Sequence, residues 1–123
     1  MKISSEVTPE RRSPCPVACT LDLIGDKWTL LVIRDLYLGK KMFREFRQSP
    51  EGIASNILTD RLRKLTSTGV VETTPSKHKS DAVEYSLSEV GQSLLPILKA
   101  VADWGDAHLE GVYFGLGRGP ADS

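Results

Sequence analysis

Apolar residues along this chain recur first at helical spacing, then in alternation, then at helical spacing again. Pro16 suits the first turn of a helix, where its missing N–H has no intrahelical partner anyway, and Val17 to Ile24 continues that helix to Gly25. Asp26 can cap a second helix, Lys27 to Leu38, whose residues Trp28, Leu30, Val32, Ile33 and Leu36 leave little polar face, so it reads as the core helix. Met42 to Gln48 gives one or two further turns, with Phe43 and Phe46 three apart, and Ser49-Pro50-Glu51-Gly52 is a turn. Ile53, then Ile57 or Leu58, then Leu62 and Leu65 mark the inner face of a fourth helix that closes at Gly69. Its outer face carries Ser55, Asn56, Thr59, Asp60, Arg63 and Lys64.

Val70 to Thr74 and Val83 to Leu87 alternate as strands, and the polar segment Pro75 to Ala82 between them is too long for a tight turn. Ser88 caps a last helix with a seam at Val90, Leu94, Ile97, Val101 and Trp104, in which Pro96 should kink the axis or remove one hydrogen bond. This stripe is broad enough to cover both its own domain and a partner, which predicts a homodimer. The order of elements predicts a mainly α fold with a small β-hairpin, a winged helix-turn-helix, over residues 15–112. An N-terminal arm (1–14) precedes it and a flexible tail (113–123) follows.

Composition changes this picture little, but charge placement changes it a good deal. The 123 residues hold 16 basic and 16 acidic side chains, a net charge of zero. Between Lys40 and Lys79, however, nine basic residues face four acidic ones, so this segment carries +5 and the remainder −5. A basic centre with acidic flanks suits one face turned toward phosphates. No apolar run reaches the roughly 20 residues needed to span a bilayer, and no signal peptide precedes the first helix, so a cytoplasmic protein is expected. Two cysteines, Cys15 and Cys19, are too few and too close for a secreted disulfide framework.

Several short blocks in a fixed order carry a resemblance: Cys15-Pro16-Val17, Leu23-Ile24-Gly25-Asp26-Lys27-Trp28, Phe43-Arg44-Glu45-Phe46, Leu58 to Leu65, Gly69-Val70-Val71, Val83-Glu84-Tyr85-Ser86-Leu87 and Gly91 to Pro96. Together they resemble the HxlR-type bacterial transcriptional regulators. The resemblance implies a winged helix-turn-helix homodimer joined through its first and last helices and bound to operator DNA. Two positions depart from the family pattern. Ala54 stands where the recognition helix usually starts with Ser, so the cap shifts to Ser55 or is lost, and Ser80-Asp81 replaces the usual Pro-Pro pair of the wing.

A recognition helix reads base edges in the major groove through its N-terminal residues, which makes Ser55, Asn56 and Thr59 candidate readers. Arg63, two turns on, can reach a guanine or a phosphate, with Asp60 and Lys64 on the same helix. Lys40, Lys41 and Arg44 before the turn, and Lys77, His78 and Lys79 on the wing tip, suit phosphate contacts. A dimer then calls for double-stranded DNA with an inverted-repeat operator. Cys15 sits at the N-cap that Pro16 implies, where amide donors and the helix dipole favour a thiolate. The resemblance points the same way, since relatives use a cysteine before this Pro-Val to sense oxidants or electrophiles; the competing reading is a small buried apolar residue. Cys19 is expected to pack. If either thiol oxidises to a disulfide, a bridge between subunits fits better than one within a single helix.

Cys15, Cys19, His78 and His108 lack metal-ligand spacing, and no cofactor motif, phosphate loop, nucleophile elbow or paired-carboxylate cluster is present, so neither a metal, a cofactor nor an enzyme is expected. The competing class is a winged-helix module that binds protein rather than DNA, because fold alone does not dictate function.

Overall fold

The computed structural model describes residues 12–77 and 82–112; most of the expected arm, the tail 113–123 and the wing-tip residues His78, Lys79, Ser80 and Asp81 lie outside them. Six helices and one hairpin follow in the order α1 (Pro16–Ile24), α2 (Thr29–Tyr37), α3 (Phe43–Arg47), α4 (Ser55–Ser67), β1 (Val71–Pro75), β2 (Val83–Leu87), α5 (Glu89–Gln92) and α6 (Leu95–His108).

The core forms where the apolar faces of α2, α3 and α4 meet the base of the hairpin. Ile33, Phe46, Leu58, Leu65 and Val70 are all fully enclosed there. Of the two candidates on the fourth helix, Leu58 occupies the inner face, and Ile57 is half-buried beside it. Asp26 caps as expected, since its carboxylate accepts from the amides of Trp28 and Thr29 at 3.1 and 3.2 Å, although regular helix starts only at Thr29. Glu45 does the same for α3, accepting from the amides of Lys41 and Met42 at 2.9 and 2.8 Å. Between α3 and α4 the chain turns through Gly52 at φ 70°, a left-handed conformation that glycine adopts without a side-chain penalty. At α4 the cap is lost rather than shifted, because Ala54 is the N-cap with no side-chain bond and Ser55 is already helical.

Two further boundaries differ from the sequence expectation. Val70 is not a strand residue: its amide donates to the Leu65 carbonyl at 3.0 Å and its own carbonyl accepts from Ser88, so it closes α4 and plugs the core. The strands therefore pair in antiparallel register from Val71 opposite Leu87 to Pro75 opposite Val83. The last helix is also two helices. Proline lacks an N–H and its ring clashes with the carbonyl four residues back, so the chain breaks at Ser93–Leu94 and restarts with Pro96 in the first turn of α6.

Ser88 holds this joint, accepting from the Gly91 amide at 3.1 Å while its hydroxyl lies against the carbonyls of Gly69 and Val70. A Cβ on Gly91 would collide with the Val70 carbonyl and press on Leu87. Helix propensity alone favours Gly91→Ala by about 1 kcal/mol. The collision reverses that sign, and the variant is expected to lose about 1–3 kcal/mol, as overpacked sites do. A thermal melt of Gly91→Ala at or above the wild-type midpoint would show that the backbone yields here.

Candidate nucleic-acid interface

On α4, Ser55, Asn56, Thr59, Asp60 and Arg63 are all exposed. At about 100° per residue, Ser55, Asn56, Thr59 and Arg63 fall within a single sector about 100° wide, with Asp60 just beyond it. Lys64 stands on another side of the helix. Its ammonium donates to the Asp22 carbonyl in α1 at 2.9 Å, so it joins α4 to α1 instead of extending the polar face. Asp60 bonds Arg61 at 2.6 Å.

Arg61, which the sequence did not single out as a site residue, also reaches the Asp26 carboxylate at 2.8 Å and ties α4 to the α1–α2 junction. Partial burial works to raise the pKa of Asp26, but bonds from the Thr29 hydroxyl, the Arg61 guanidinium and the Trp28 amide outweigh it and bring it down to about 2. The same pairing, led by the bond to Asp26, raises Arg61.

The basic residues before the helix-turn-helix divide in the same way. Lys41 and Arg44 are exposed, whereas Lys40 donates to the Ser49 hydroxyl at 2.6 Å and lies 3.8 Å from the buried carboxylate of Asp35. Ser49 in turn bonds Asp35, and Arg34 joins Asp35 to Glu51, with bonds of 2.9 and 2.8 Å to the Glu51 carboxylate. This bond from Arg34, more than any other influence, holds Glu51 below the usual carboxylate range. The network holds the turn that precedes α4 at two points, Ser49 and Glu51. On the wing, Lys77 is exposed.

Cys15 occupies the N-cap of α1 and is exposed. Its sulfur forms no capping bond of normal geometry, but the nearby amides of Ala18 and then Val17 draw its pKa below that of an ordinary thiol. The reading of Cys15 as a buried apolar residue therefore fails on exposure. Cys19 is half-buried, with its thiol donating to the Ser13 carbonyl at 3.1 Å. Among the described residues no group of His, Cys, Asp or Glu could hold a metal ion, and no helix is long and apolar enough to cross a membrane.

A short helix, a glycine turn, an exposed polar helix and a hairpin beside it define a winged helix-turn-helix DNA-binding regulator. The chain belongs to the HxlR-like helix-turn-helix family, which it matches over residues 23–113. It is similar to the uncharacterized HTH-type transcriptional regulator YdeP of Bacillus subtilis, 37% identical over 87% of this chain and 84% of the relative. Among solved structures it resembles the redox regulator HypR in its reduced form, at 38% identity and a TM-score of 0.71, over 78% of this chain and 95% of that one. The oxidized form of HypR matches similarly, at 39% identity and a TM-score of 0.70, covering 78% and 99%.

Because Asp26 is depressed from 3.8 to about 2, its ionised form stabilises the fold fully above the unfolded value, and that contribution is lost as pH falls through the folded one. Asp26→Asn should therefore be less stable than wild type near neutrality. The gap in urea midpoint should close as pH falls from 3.8 to about 2. A gap that stays constant across that window would assign the effect to packing rather than charge.

Proposed function

We propose that the protein acts in the cytoplasm as a homodimer on an inverted-repeat operator, reading bases with Ser55, Asn56 and Thr59 and responding to oxidants or electrophiles through Cys15. The observation that carries the DNA part is the exposed, uncapped polar start of α4, held by a bonded turn and flanked by the exposed cations Lys41, Arg44 and Lys77. An Asn at the start of such a helix can bond adenine through two atoms, while the cations anchor phosphates of any sequence. His78 and Lys79 extend the same wing-tip proposal.

The dimer is supported by a groove between α1 and α6. Val17, Leu21, Ile97, Val101 and Trp104 are between 39% and 66% exposed, and apolar side chains clustered in this way mark a surface suited to a partner. This groove joins the first and last helices, the pair through which the family resemblance implies dimerisation, and Cys15 immediately precedes its Pro16–Val17 end. Modification of the thiol therefore adds bulk or charge at the edge of the subunit contact, which sets the distance between the two recognition helices.

Asn56→Ala should relax sequence preference at one operator position and cost roughly 1–3 kcal/mol there, whereas Lys77→Ala should weaken all sequences alike and reduce the salt slope by about one. Equal loss on specific and random duplexes for Asn56→Ala would remove α4 from the major groove. Binding with no salt dependence would favour a protein partner over DNA.

For the sensor, a mild electrophile or peroxide should modify Cys15 before Cys19 and change operator affinity, and Cys15→Ser should bind as wild type without the response. Peptide mass spectrometry paired with a binding assay decides it: modification at Cys15 with unchanged affinity reduces the residue to a structural one.

A further inference from the structure

The two cysteines of the chain stand one helical turn apart at the start of α1. Cys15 is the exposed N-cap, and Cys19 is half-buried in the next turn, its amide donating to the Cys15 carbonyl at 3.0 Å. At about 100° per residue the two positions fall about 40° apart on the helical wheel, and Cys19 lies about 160° around α1 from Val17 and Leu21. The second thiol is therefore outside the groove that Cys15 borders, and a partner seated on Val17 and Leu21 does not cover it.

Spacing decides what can join the two sulfurs. Neighbours four residues apart on a helix hold their Cβ atoms about 5–6 Å apart. A direct disulfide needs about 3.5–4.5 Å, so the pair cannot form one without distorting the first turn of α1. One bridging atom puts a second bond between the sulfurs and spans the gap. Among the described residues no third His, Cys, Asp or Glu joins them, so the pair lacks the ligand number of a structural metal site. Trivalent arsenic carrying one organic group needs two thiolates and no more. The Cys19 sulfur already leans back toward the N-terminal end of α1, where its thiol donates to the Ser13 carbonyl at 3.1 Å, two residues before Cys15.

We propose that Cys15 and Cys19 form a two-thiolate site for a monosubstituted trivalent arsenical, closed within one subunit. The inference rests on the reading of Cys15 as a nucleophilic thiol and adds Cys19 to it as the second ligand. The exposed Cys15 sulfur attacks first, one As–OH bond breaking as one As–S bond forms, and the Cys19 sulfur then displaces the second hydroxyl. Each thiol proton leaves with its hydroxyl as water, and arsenic stays trivalent, so no oxidant or reductant takes part. Closure replaces the bond from Cys19 to Ser13. Ser13 follows Arg12, whose guanidinium bonds the Asp22 carboxylate at 2.7 Å and the Ala18 carbonyl at 3.3 Å, so the bridge acts on the segment that clasps α1.

The experiment titrates reduced full-length protein with phenylarsine oxide, which hydrates to the dihydroxy form. Intact mass under denaturing conditions should show one phenylarsenic per monomer, with both thiols lost to iodoacetamide. Glutathione should fail to strip the adduct from wild type, whereas 2,3-dimercaptopropanol removes it. In Cys15→Ala and in Cys19→Ala glutathione should suffice, because a second bond made within the molecule is worth roughly 10²–10⁴ in affinity. A pair of chains joined through arsenic, a Cys19 that still reacts with iodoacetamide in the adduct, or a Cys19→Ala variant that holds the reagent as tightly as wild type overturns the proposal. N-ethylmaleimide, which needs one thiol, tests the underlying reading separately. If it does not modify Cys15 ahead of Cys19, the nucleophilic reading of Cys15 falls; if it does and the arsenical forms no bridge, the two-thiolate site alone falls.

Discussion

The placement of α4 depends on a carboxylate that water hardly reaches. Asp35 on α2 is 4% exposed, and its charge is met by Arg34, by the Ser49 hydroxyl and, more distantly, by Lys40. A buried charge is tolerated only when its lone pairs are satisfied, so each partner is held in place by the others. Ser49 begins the turn between α3 and α4, and Glu51 within it is clamped by Arg34 from α2. The apolar contacts of Phe46, Ile53 and Leu58 set how close α4 lies to α2, but they are non-directional. The polar network supplies the direction, and so fixes where Ser55 and Asn56 emerge.

The helical periodicity of α4 is plain in the sequence because Leu58, Leu62 and Leu65 report on a local repeat, and the buried face follows from it directly. The charge pattern is less faithful. It counts Lys40, Arg61 and Lys64 as free, yet each is bound within the fold, two of them to groups 35 and 42 residues away. Composition cannot reveal pairings at that distance. The helix geometry does hold one clue, since Lys64 lies about half a turn of the helical wheel away from the sector shared by Ser55 and Thr59. The break before Pro96 was legible as a disturbance, but whether it kinks or divides a helix is decided by Ser88 and Gly91 packing against Val70.

The apolar stripe along the last helix shows the complementary limit of pattern reading. Leu98 turns into the core, while Ile97, Val101 and Trp104 remain outside, and the same spacing would suit both roles. Trp104 instead stacks on His108 at 4.8 Å, one turn further along α6. What separates the two roles is the position of α1, whose Val17 and Leu21 line the other side of the groove without filling it.

α1 itself is nine residues long, with Ile24 its one buried side chain and no basic residue in its last turn. A helix of that length is marginal alone, and its final carbonyls carry partial negative charge in need of a donor. One donor is the Lys64 ammonium at the Asp22 carbonyl, supplied by α4. The order of α1 is thus partly on loan from α4, and the last turn of the short helix is where any loosening of that bond is felt first.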